Sequence, residues 1–189
     1  INVGASEAES ELLYHINVGA PFLEEGAQFS IPFEEMAPRD PRAAEGVTEY
    51  QTYLGPTPGY AEQAYYFKPV ADEQGLTPAL LSGREGEIGF LVEFVQSKLP
   101  CFTLWKNTQP EAAGYVTGLE PGINYPNFRA TEREQGRLKA LQPGESYEAE
   151  FKISILNNSD SVDAIRQKIT KLSQQSPSVV HESPHPRFS

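Results

Sequence analysis

An antiparallel β-sandwich, incomplete as it stands and closed by one late helix, is the fold class this sequence predicts. Three observations carry it. Short runs alternate apolar and polar residues with period two along most of the chain. Fifteen glycines and sixteen prolines punctuate those runs, as turns between many strands require. A helical apolar stripe stands out in one place only, near the C-terminal end, while nine Tyr and ten Phe suit half-buried strands.

The elements follow in order. In "ELLYHINVGAP", Leu12, Tyr14, Ile16 and Val18 share one face and Leu13, His15 and Asn17 the other, which predicts a half-buried strand ending at Gly19. "GAQFSIPF" (26–33) reads as a second strand. Residues 34–63 form a long polar, proline-bearing passage without a sustained period; its Tyr50, Tyr53 and Tyr60 argue that it packs. "AYYFKPV" resumes strand character. "PALLS" and "EIGFLVEFV" follow, joined by a turn at "GREGE". "PCFTLWK" and "GYVTGLE" are two more strands. After a turn at "LQPGES", Tyr147, Ala149, Phe151, Ile153 and Ile155 alternate with Glu148, Glu150, Lys152 and Ser154. Val162, Ile165, Ile169 and Leu172 then make the helical stripe, with Ser159 or Asp160 as cap and Asp163 in the first turn. Residues 173–189 look irregular. No linker divides the chain, so residues 11–156 and 157–189 are expected to be strands and closing segment of one domain. The pentapeptide "INVGA" occurs at both 1–5 and 16–20. A truncated or misjoined start is the expectation drawn from it, with the fold beginning near Glu11.

Composition narrows the function. The 189 residues are enough for one real core. A net charge of −11 without any Lys/Arg cluster argues against nucleic acid and against an anionic membrane surface. Cys101 is the lone cysteine, so no internal disulfide forms and a reducing, cytoplasmic compartment is expected. No apolar run reaches transmembrane length, no signal-peptide pattern is visible, and zinc motifs, P-loops and dinucleotide-binding glycines are lacking.

Several residues could carry chemistry, and for each the commoner role is structural. His15 is the only histidine in strand-like sequence, and Glu120 ends a strand at a Pro121-Gly122 turn. Facing one pocket, they would make an acid/base pair. Trp105 offers a flat apolar face with an edge donor, suited to sugars or to core packing. Glu62 and Gln63 could hold polyol hydroxyls or solvate a loop. Arg39, Asp40, Arg42 and Glu45 read as a local salt-bridge cluster. Cys101 reads as a buried small hydrophobe. The pairs Glu24-Glu25 and Glu34-Glu35 are adjacent residues that point to opposite faces of a strand, so no metal site is expected.

"LLYHINVGAPFLEEG", "PRDPRAAEG", "TPGYAEQ", "LPCFTLWKN" and "GYVTGLEPGINYPN" together resemble the aldose 1-epimerase-like, domain-of-unknown-function branch of the galactose mutarotase superfamily, from about Leu12 to Ile155. The resemblance implies a galactose mutarotase-like supersandwich, a large twisted antiparallel β-sandwich. "LYHINVG" is similar to the superfamily's "NHSYFNL" and places the general acid on His15. "LEPGINYPN" is similar to "LETQNFPDA" and places the general base on Glu120, with Asn124 and Pro126 one residue further along. "GYAEQ" is loosely similar to "GYDH" and gives Glu62 the sugar hydroxyls, with Trp105, Asn17 and Gln63 beside it. The implied activity is interconversion of sugar anomers by acid/base catalysis on a small-molecule carbohydrate, with no cofactor. The alternative is a non-catalytic carbohydrate-binding protein or a truncated inactive paralogue. The strands that supply a further arginine and histidine in this superfamily have no counterpart, so the match is expected to be mainly to the C-terminal half. Open sheet edges, and self-association through them, are the corollary.

Overall fold

The computed structural model describes residues 1–175 and 177–189. In chain order the strands and helices are β1 Ala8–Ser10, β2 Ile16–Val18, β3 Gln28–Ser30, β4 Phe33–Pro38, α1 Pro41–Ala44, β5 Gln63–Pro69, β6 Leu76–Ser82, β7 Gly89–Val95, β8 Cys101–Asn107, β9 Val116–Gly122, α2 Arg129–Glu134, β10 Lys139–Leu141, β11 Phe151–Leu156, α3 Ser159–Ser173 and β12 Val179–Val180. A four-stranded sheet, β11-β7-β6-β3, packs on a six-stranded sheet, β12-β4-β5-β8-β9-β2. Among the described residues, every strand pairing is antiparallel except β12 with β4. The predicted all-β sandwich with a late helix is the fold observed.

Period two decides what each strand buries. Tyr65, Phe67, Phe102, Leu104 and Leu119 point between the sheets, where they meet Phe29, Leu81, Val92 and Phe94. Phe102 stacks on Phe29 and Phe94 at centroid distances of 5.7 and 5.8 Å. Each such side chain contributes about 1.5–3 kcal/mol by leaving water. The opposite parity of the large sheet, Ala64, Tyr66, Cys101, Thr103, Trp105, Gly118 and Glu120, faces outward. Tyr125 and Phe188 cover one end of that outer face.

The predicted strands at "PALLS", "EIGFLVEFV", "PCFTLWK" and "GYVTGLE" are β6 to β9. On α3, Val162 and Ile169 pack on Leu80 and Leu91, with Ile165 alongside. The helix cap is different from the one expected: Asn158, not Ser159 or Asp160, accepts from Ser161 N at 2.9 Å, and Asp160 rather than Asp163 occupies the first turn. In the first expected strand, only Ile16–Val18 forms a ladder, against Thr117–Leu119, and Leu13 adds one bridge to Gly122.

Three passages depart further. The polar stretch 34–63 contributes β4, a helix α1 with Asp40 as cap and Pro41 at its first position, and a 3-10 turn at Val47–Glu49. Its Tyr50, Tyr53 and Tyr60 are buried. The first ten residues belong to the fold. Asn2 Nδ2 donates to the Leu141 carbonyl at 2.8 Å, and β1 pairs with β10. The tail read as irregular supplies β12 and the buried Phe188; Ser176 within it lies outside the described residues.

Candidate functional site

The candidate site is built on the outer face of the large sheet, from edge strand β2, its neighbours β9 and β8, and the residue entering β5. Glu120 on β9 lies opposite Thr103 on β8, and Gly118 lies opposite both Trp105 and Asn17. His15, just before β2, reaches over β9, and its Nε2 stands 3.0 Å from Glu120 Oε1. The contact is close but poorly aligned: Glu120 Oε1 is left without a hydrogen-bond partner, as is Thr103 Oγ1 across the ladder. The imidazole is half exposed (49%), whereas the Glu120 side chain is 3% exposed. Burial therefore raises the Glu120 carboxyl to about 7; Arg39 opposes this shift and Glu62 adds to it.

Trp105 continues the site. Its ring meets His15 edge-on at 5.7 Å, and its Nε1 donates to Glu62 Oε2 at 2.8 Å. Glu62 Oε1 accepts from Arg39 at 3.0 Å, and Arg39 also holds Asp40 at 2.8 Å. The structure thus joins His15, Glu120, Trp105 and Glu62 in one run of contacts, with exposed Asn17 beside them on β2. Beyond Arg39, a cavity of about 440 Å³ is lined by Tyr66, Asn127, Phe128 and Thr131.

Gln63 is a correction. Strand alternation turns it to the opposite side from Glu62, where it is buried, accepts from Tyr60 Oη at 2.5 Å and donates to the Arg42 carbonyl. It lines a separate cavity of about 270 Å³ with Lys106, whose ammonium donates to the Tyr50 and Thr52 carbonyls and is pushed down to about 8 by burial. Cys101 is buried, and its thiol is pushed up to about 12 by that burial, as suits a small hydrophobe. Glu34 and Glu35 diverge as strand geometry requires, Glu34 to Lys68 and Glu35 to His181.

Three contributors escaped the sequence reading. Arg39 does form the expected local pair with Asp40, but it also spans 23 residues to reach Glu62. Gly118 opens the bay in which the carboxylate lies, since a Cβ there would stand 2.3 Å from Glu120 Oε1. A glycine inside a strand marks such close approach, so "VTGLE" did contain that signal. Glu132 on α2 is fully buried, accepts from Tyr125 N and Asn127 Nδ2, and takes a two-pronged contact from Arg137. It pins the loop that follows Glu120, and no period or motif announces it.

The fold is aldose 1-epimerase-like. Over 97% of this chain and 48% of the other, the structure matches the crystal structure of a "putative aldose 1-epimerase" from Klebsiella pneumoniae subsp. pneumoniae, with a TM-score of 0.93 at 38% identity. It also matches the Slr1438 protein of Synechocystis sp. PCC 6803 over 83% of this chain and 48% of that one, with a TM-score of 0.51 and 15% identity, a likeness of fold alone. The chain spans about half the length of either. No curated protein matches it. The family model DUF4432, a domain of unknown function, matches residues 1–155, and the chain belongs to that family. No helix among the described residues is long and apolar enough to cross a membrane.

Proposed function

We propose that the chain carries the proton-transfer site of an aldose 1-epimerase-like protein, in which Glu120 and His15 interconvert the anomers of a free sugar. In this reading it corresponds to the C-terminal part of a longer mutarotase-like domain, with residues 11–156 supplying most of the strands and 157–189 the helix α3 and a tail that adds β12. The supporting observation is the Glu120 carboxyl, buried, raised to about 7 and set 3.0 Å from an imidazole. A carboxyl tuned near neutrality can both take and return a proton.

The chemistry needs two proton transfers at neighbouring atoms, because the anomeric hydroxyl and the ring oxygen share one carbon. Glu120 takes the hydroxyl proton, and protonated His15 gives one to the ring oxygen. The bond from the anomeric carbon to the ring oxygen breaks as the carbonyl forms. The carbonyl face turns, and the two side chains exchange roles as the ring closes. Trp105 offers the sugar a flat face, and Glu62, Arg39 and Asn17 meet its hydroxyls. Only protons move, so two side chains supply the catalysis.

The test is anomer exchange measured by NMR over a panel of free aldoses, on the unmodified chain and on Glu120→Gln and His15→Asn. Glutamine keeps the volume but cannot accept the proton, so exchange should fall on the order of 100- to 10,000-fold while sugar affinity changes little. His15→Asn should slow exchange as well. Near-parent rates in Glu120→Gln would overturn the base assignment and make Glu62 the next candidate. Sugar binding without exchange in the unmodified chain would favour the non-catalytic carbohydrate-binding reading.

A further inference from the structure

Glu35, His181 and His185 gather at the β12–β4 edge of the large sheet, the edge opposite β2. Backbone pairing brings them there. β12 lies parallel to β4 with Val179 beside Glu35, and His181 N donates to the Met36 carbonyl at 2.9 Å. Further on, Phe188 N–H donates to the His185 carbonyl, and the Phe188 ring is buried against Tyr125. Held between these two anchors, the His181 and His185 rings stack with centroids 3.9 Å apart and 20° between their planes. His181 Nε2 lies 2.8 Å from Glu35 Oε1. One ligand atom from each of the three residues falls within 4.8 Å of the others.

We infer that these three side chains form a binding site for one divalent cation of the zinc type. Two imidazole nitrogens and a carboxylate are a donor set that such ions take, with a coordination position left over for water. Bonds of ~2.0–2.2 Å put tetrahedral ligand atoms about 3.3 Å apart, so ligand atoms that now lie within 4.8 Å of one another draw in, and the stacked rings tilt apart until their in-plane lone pairs meet at the ion. Glu35 and His181 are only 15% and 21% exposed, which favours a held ion over a freely hydrated one. Besides His181, Glu35 now holds Arg187, whose guanidinium lies 3.2 Å from both carboxylate oxygens. The Arg187 side chain is 73% exposed, so it can swing into water at little cost when an ion takes its place. The ion would clasp the C-terminal strap to β4 and hold Phe188 over the outer face. Its role is structural, at the far edge from Glu120. The residues also explain why sequence reading missed the site: Glu35 and the two histidines are 146 or more positions apart, and the histidines lie in a segment without periodicity.

The test titrates chelator-treated full chain with Zn²⁺ alone, by calorimetry and by NMR of the histidine rings. One ion should bind per chain, shifting the ring signals of His181 and His185 and leaving those of His15 in place. Glu35→Gln and His185→Asn should each weaken binding by at least the roughly 10- to 100-fold that even an outer-shell partner is worth. Arg187→Gln should strengthen it, a gain that misfolding cannot produce. Absence of saturable binding, binding that survives both weakening variants, or shifts confined to the His15 ring would overturn the inference.

Discussion

Glu120 sits where an ionised carboxylate is poorly solvated, and that has a consequence for stability separate from its proposed role in proton transfer. Burial pushes its carboxyl up to about 7, from the 4.5 usual for a glutamate in water. Between those values the folded chain holds a proton that the unfolded chain releases, so the contribution is full below about 4.5 and is lost as pH rises through about 7. At alkaline pH the ionised side chain costs on the order of 3 kcal/mol. Glu120→Gln should therefore match the parent in urea unfolding near pH 4 and exceed it by up to about 3 kcal/mol at pH 8. Equal stability at both values would mean that His15, at 3.0 Å, already compensates the charge. A residue that destabilises its own fold is what the proposed function at this position leads one to expect.

Among the elements, α3 shows both what a sequence displays and what it conceals. The stripe Val162, Ile165, Ile169 and Leu172 is visible because helical period is local, and burial against Leu80 and Leu91 follows from it. The cap is less visible, because Asn157, Asn158, Ser159 and Asp160 are all good cap residues and only the backbone chooses between them. It chose Asn158, with extended dihedrals and its side chain on Ser161 N. Asn158→Ala should cost about 1 kcal/mol, and Ser159→Ala close to nothing, by thermal or urea unfolding. A larger loss for Ser159 would restore the sequence-based cap. The long strands β5 to β9 were legible for the same reason as the stripe: period two is local. Strands β1, β10 and β12 have two or three residues each and exist only through partners far along the chain. The site divides the same way. His15, Glu120, Trp105 and Glu62 sit in motifs, whereas Arg39's reach to Glu62 needs the β4–β5 pairing to be known.

At the scale of the whole molecule, the two sheets do not cover each other fully. On edge strand β11, Phe151, Ile153 and Ile155 have the parity of Phe94, Val92 and Phe90, the core-facing residues of β7. Phe151 is sheltered by Tyr14 at 4.6 Å, but Ile153 and Ile155 are 45% and 56% exposed. The core-facing side of the small sheet thus runs past its partner, next to a strand edge whose backbone groups have no neighbouring strand among the described residues. Such an edge invites pairing with another chain, and Lys152 on the other face is a weak guard. The chain should therefore associate as its concentration rises. Two copies of net charge −11 repel, so raising salt from about 0.1 to 1 M, which shortens the screening length from roughly 10 to 3 Å, should strengthen the association. Ile155→Lys should weaken it without a comparable loss of stability, because a half-exposed site tolerates substitution within about 0.5 kcal/mol. Sedimentation velocity across a concentration series, at both salt levels, reads the outcome. A parent that stays monomeric throughout would show that the edge is self-guarded. Association that Ile155→Lys leaves unchanged would move the contact elsewhere, and the β2 edge, which carries Asn17 and adjoins His15, would then be tested by whether bound sugar competes with it.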